Sequence, residues 1–211
     1  MSRLLLHPAA KPLLFVACLL PFLWLVYGAA ADQLGANPAE ALLRATGDWT
    51  LRFLCLTLAV TPLRMLAELP ALARFRRMLG LYVYFYALLH LLGYSWFDMG
   101  FELAEITHDI AKRPFILVGF TTFLLLTPLA LTSFNRAIRW LGARRWQRLH
   151  QLVYAAAVLG LLHFFWMRVS KNRLDEVLVY VAILGVLLGW RVWRRWLGHA
   201  RPGAGAMPVK R

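Results

Sequence analysis

At 211 residues, 61% hydrophobic and only 16% charged, the chain is too apolar for a soluble globular domain and reads as an all-α integral membrane protein. Its net charge of +14 needs no nucleic acid to explain it, because basic loops facing an anionic inner leaflet account for such a balance. No Gly-rich phosphate motif precedes a helix and no stretch is left over for a soluble catalytic domain, so any chemistry has to sit within the membrane bundle.

A hydrocarbon core of roughly 30 Å takes about 20 apolar residues per helix. Six segments qualify, near 12–30, 49–66, 79–97, 115–133, 149–167 and 177–193, which gives six transmembrane helices in a single membrane domain, 1–211, with short basic tails. The first follows Arg3 and Lys11 and ends at Ala29-Ala30-Ala31, which resembles a signal-peptidase site. Its apolar run from Leu13 to Ala30 exceeds the roughly 7–15 residues of a signal h-region, so a retained helix is expected. Pro21, Pro62 and Pro128 are expected to kink the first, second and fourth helices, which membrane bundles tolerate when neighbours satisfy the freed carbonyl.

The cations set an orientation. With both termini in the cytoplasm, 17 Lys and Arg residues fall inside and seven outside: Arg44, Arg52, Lys112, Arg113, Arg168, Lys171 and Arg173. Nine of the ten acids fall outside, in loops near 31–48, 98–113 and 168–176, and Glu68 alone lies inside. The acidic outer loops suggest a docking partner with a basic patch. Cys18 and Cys55 lie within the first two helices and are expected to be small buried thiols.

Three of the six histidines, His90, His150 and His163, lie in or at the ends of these segments. An imidazole in hydrocarbon is costly unless it is bound, and for a neutral imidazole the commonest strong partner is a metal. The third and fifth helices run parallel, so depths compare directly: His90 and His163 lie roughly 12 and 6 Å below their outer ends, while His150 lies roughly 20 Å deeper than His163. On an ideal helix His150 and His163 also point about 140° apart. The matched couple is His90 with His163. A hydrogen-bonded structural role is the ordinary alternative for any one of them.

Zinc would require three or four ligands, and no Cys, Asp or Glu accompanies these histidines. The absence of C-x-x-C-H excludes covalent c-type haem, which leaves a b-type haem held by two imidazoles, a one-electron carrier with both axial positions filled. Such a haem in the outer half leaves the inner half without a cofactor. Arg76 and Arg77, with Arg144, Arg145 and His150 at the same level, offer guanidinium forks suited to the phosphate of a flavin mononucleotide (FMN). The same arginines are also accounted for by the positive-inside rule.

Several motifs carry a family resemblance. They are Leu20-Pro21-Phe22-Leu23-Trp24-Leu25-Val26, Leu34-Gly35-Ala36-Asn37-Pro38 with Thr46-Gly47, Thr61-Pro62-Leu63-Arg64, Arg76-Arg77-Met78-Leu79-Gly80-Leu81 leading to Leu89-His90, Lys112-Arg113-Pro114, Leu129-Ala130-Leu131-Thr132-Ser133, and Arg145-Trp146-Gln147-Arg148-Leu149-His150 with Val153-Tyr154. In this order, from about residue 12 to 195, they resemble the MsrQ (YedZ) family of haem-binding membrane subunits, within the ferric-reductase-like transmembrane superfamily.

The resemblance implies six helices in the bacterial inner membrane, haem b and FMN. It implies electrons drawn from a cytoplasmic flavin reductase or from quinol, and delivered to MsrP, a periplasmic molybdopterin methionine sulfoxide reductase. It assigns haem ligation to positions matching His90, His150 and His163, and the flavin to positions matching Arg76 and Arg77. Superfamily members with two stacked haems carry two histidines on each of the third and fifth helices; here the third has His90 alone and Arg76 stands fourteen residues before it. A self-contained ferric or quinone reductase, and a transporter or assembly protein with structural histidines, are the alternative readings.

Overall fold

A computed structural model describes residues 2–169 and 174–199, and among them there is no strand. Lys171, Arg173, Arg201, Lys210 and Arg211, all counted in the charge reading, lie outside the described residues, as do the side chains of Arg3 and His199. Six helical spans are long and apolar enough to cross a membrane. Their principal helices are α1 (Ala10–Ala30), α2 (Pro38–Leu66), α3 (Arg76–Gly93), α4 (Pro114–Leu131), α5 (Leu152–Val169) and α6 (Leu174–His199). Large apolar side chains such as Leu20, Trp24, Val186 and Val192 stay exposed on the outside of the bundle, as expected where the solvent is lipid.

The second span differs from the sequence reading. It begins at Pro38 rather than near 49, because Asn37 caps it: the Asn37 side chain accepts from the Glu40 backbone N–H at 3.2 Å, and Pro38 occupies the first turn, where its missing N–H costs nothing. Arg44, Gly47 and Asp48, read as outer-loop residues, therefore stand on a helix. The third span opens with a 3-10 turn, Pro70–Phe75, and closes with a π turn, Tyr94–Asp98. The fifth is two helices, Ala143–His150 and α5, separated at Gln151, so the ideal-helix phase between His150 and His163 does not apply.

Two helix pairs dominate the packing. Helix α2 lies along α3, α4 lies along α5, and α6 bridges them by contacting both α5 and α2, while α1 sits against the outside of the first pair. Within the α2/α3 pair, Phe53 stacks on both Tyr82 and Tyr86, with ring centres 5.6 and 5.2 Å away, and the two tyrosines lie 6.4 Å from each other. Cys18 and Cys55 are buried and unbridged.

Tyr86 is fully buried at 0% exposure, and its hydroxyl performs a task set by Pro21. The phenol accepts from Phe22 N–H at 3.1 Å and donates to the Cys18 carbonyl at 2.9 Å, the two backbone groups that would pair directly in an uninterrupted helix. A neighbouring side chain is thus spliced into the ladder of α1 beside its proline, in surroundings where an unpaired amide has no water to turn to. One turn away, Tyr82 donates to the Phe15 carbonyl at 2.8 Å and fastens the same helix. Replacing Tyr86 with Phe leaves both backbone groups without the bridge, and thermal melts in detergent should show a loss of about 1–3 kcal/mol.

Candidate functional site

His90 on α3 and His163 on α5 face each other across the seam between the two helix pairs. Their ring centres lie 6.1 Å apart and their planes stand at 78°. Both are held by the same device. The Nδ1–H of His90 donates to the Leu43 carbonyl at 2.9 Å, and that of His163 donates to the Phe115 carbonyl at 2.7 Å. One helical turn beyond each carbonyl stands a glycine that the ring lies against. A Cβ at Gly47 would stand 3.1 Å from Nδ1 and Cε1 of His90, and one at Gly119 only 2.8 Å from the same atoms of His163.

Because a carbonyl can only accept, the proton must reside on Nδ1 of both rings, which leaves the lone pair on Nε2. Among the described residues neither Nε2 has a hydrogen-bond partner. The 6.1 Å between ring centres is of the order that two metal–imidazole bonds of about 2 Å each would span. No group of three or more potential ligands exists among the described residues, so a metal here would be held by His90 and His163 and would bring its remaining ligands with it.

His150 is not part of this pair. It ends the helix Ala143–His150, stacks on Trp146 with ring centres 3.8 Å apart, and its Nδ1 donates to the Trp146 carbonyl at 3.1 Å. Its Nε2 is buried without a hydrogen bond. Arg76 and Arg77, at the start of α3, are close enough to act on it electrostatically, and Arg77 donates to the Asn135 side chain at 2.8 Å. The five residues singled out from sequence thus fall into two groups, His90 with His163 and His150 with Arg76 and Arg77. Arg191 joins the second group unannounced: it donates to the carbonyls of Leu187 and Leu58, lies over the Tyr154 ring at 5.6 Å, and feels the charge of Arg76.

Three charges read as outer-loop residues prove to be built into the bundle. Arg168, only 9% exposed, donates through Nη2 to both carboxylate oxygens of Asp48 at 2.8 and 2.9 Å. Its Nε lies 3.0 Å from Glu176, and its guanidinium lies over the Phe164 ring. Asp109, also assigned to a solvated acidic loop, is buried on the helix Leu103–Lys112, where it accepts from Tyr94 at 2.7 Å and pairs with Arg113 at 2.9 Å. His108 on the same helix is exposed.

Residues 46–161 match the family model for the ferric reductase like transmembrane component. A protein of Polaromonas naphthalenivorans is 72% identical over 195 residues, covering 92% of this chain and 89% of its own length. Proteins of Ralstonia nicotianae and Bordetella pertussis are 52% and 51% identical, covering 96% and 90% of this chain and 94% and 93% of their own. All three bear the name protein-methionine-sulfoxide reductase heme-binding subunit MsrQ. No solved structure matches the chain. The match across both helix pairs, together with this extent of identity, places the chain in the MsrQ family of ferric-reductase-like multi-pass membrane proteins.

Proposed function

We infer that the chain binds one haem b between His90 and His163 and serves as the membrane electron-transfer subunit of a methionine sulfoxide reductase system. The observation that carries this reading is the facing pair of imidazoles, each with its proton fixed on Nδ1 by a backbone carbonyl and its Nε2 uncommitted. When bound, haem supplies reversible one-electron chemistry. The protein's part is to fix both tautomers and to raise imidazole basicity through the Nδ1–H bonds, so that His90 and His163 would hold the group. The facing imidazoles speak against a transport reading, and the identity to proteins named MsrQ favours this reading over a self-contained ferric reductase.

In this reading the amino and carboxyl termini face the cytoplasm of the inner membrane. The donor would be a cytoplasmic flavin reductase or quinol and the acceptor the periplasmic partner MsrP; Arg76, Arg77 and His150 would hold an FMN, which would supply one-electron chemistry on the inner side. Guanidinium forks at Arg76 and Arg77 suit the FMN phosphate, and His150 lies beside them at the same end of the bundle.

The visible spectrum of purified protein tests the assignment. His90→Ala and His163→Ala should each abolish a low-spin b-type spectrum, whereas His150→Ala should retain it; wild-type protein devoid of haem after ample supply would refute the reading. Gly119→Ala should displace the His163 ring and lose most of the haem, while Gly160→Ala, whose Cβ would meet Thr122 at an ordinary 3.6 Å, should keep it. Purified Arg76→Gln/Arg77→Gln protein should have lost its flavin while keeping haem; unchanged flavin content would remove FMN from this site.

A further inference from the structure

His90 belongs to the α2/α3 pair, with its glycine cradle on α2, and His163 belongs to the α4/α5 pair, with its cradle on α4. Each imidazole is therefore fixed within its own half. What has to be set separately is the position of one half relative to the other: the halves meet where α3 packs on α4 and α6 on α2, while α2 and α5 touch only sparsely.

The Asp48–Arg168 pair lies on that seam. Asp48 directly follows Gly47, the residue against the His90 ring, and Arg168 lies five residues beyond His163 on α5. Nη2 ties the cradle of one histidine to the helix of the other, and Nε, at the other arm of the same planar fork, extends the tie to Glu176 on α6. By contrast, Glu40–Arg44 and Asp109–Arg113 join residues four apart in one stretch of chain and cannot register one helix against another. A largely buried three-member ion network is weak evidence for net stability, since desolvation offsets much of its attraction, but its geometry is specific because a planar fork accepts few arrangements.

We propose that Asp48, Arg168 and Glu176 are positioning residues that set the spacing and relative ring orientation of His90 and His163, and so the axial geometry at the iron. This rests on the haem assignment above. A purely structural ion pair would alter melting temperature alone. A positioning network also alters the electron paramagnetic resonance of the ferric low-spin site, whose g-anisotropy follows the angle between the two imidazole planes.

The test uses full-length protein in detergent, depleted of haem and titrated with hemin, in wild type, Asp48→Asn, Arg168→Gln, the double variant and Arg168→Lys, with helicity followed by circular dichroism. Asp48→Asn and Arg168→Gln should each weaken hemin binding by roughly tenfold or more and shift the g-values. The double variant should bind no worse than the weaker single one, because either change already breaks the fork. Arg168→Lys keeps the charge without the planar fork, so it should retain native helicity and still show shifted g-values. Wild-type g-values in Arg168→Lys, or additive losses in the double variant, would overturn the proposal. Wild-type protein that takes up no hemin would instead overturn the haem assignment on which it rests.

Discussion

The bond from a histidine Nδ1–H to a main-chain carbonyl, made twice, is the interaction on which the rest of this molecule depends. In water it would be one modest hydrogen bond among many. In a membrane bundle it decides which nitrogen of the ring carries the proton, holds the ring against its neighbour helix, and leaves the other nitrogen basic. The bond requires the ring to lie almost on the backbone of the adjacent helix. A glycine one turn from each accepting carbonyl leaves room for that: at Gly119 a Cβ would collide with the ring at 2.8 Å, and at Gly47 it would crowd the ring at 3.1 Å.

The second constraint is the solvent. Lipid offers backbone groups nothing, so each irregularity must be resolved within the protein. The Tyr86 hydroxyl restores continuity in α1 beside Pro21, and Thr57, Thr122 and Thr127 return their hydroxyls to carbonyls four residues back. Asn37 caps a helix that starts outside the apolar stretch. The same logic makes the charged residues within the spans informative: Asp48, Arg168 and Arg191 are all engaged by partners on other helices.

Hydropathy made the six spans legible because a transmembrane helix announces itself by length, and rise per residue was enough to match His90 with His163. Other features were hidden for physical reasons. The helical start at Asn37-Pro38-Ala39-Glu40 carries a capping signal, yet Arg44 and Asp48 lowered the local hydropathy and made the stretch look like a loop. Asp109 looked solvated because nothing in the local sequence identifies Tyr94 as its partner. The break at Gln151 leaves no proline or glycine to mark it. The glycine cradles could have been suspected from Gly47 and Gly119 alone, but which ring each one receives is a property of the tertiary packing.

Because the two imidazoles belong to different helix pairs, the pocket between them comes into being only when both pairs have been inserted and docked. A prosthetic group bound there joins positions 73 residues apart in the chain, and that cross-link restricts the open ensemble far more than any local contact can. A group captured there would therefore depend on helix insertion and seam closure having come first, and once held it would act as the mortar between two separately built walls.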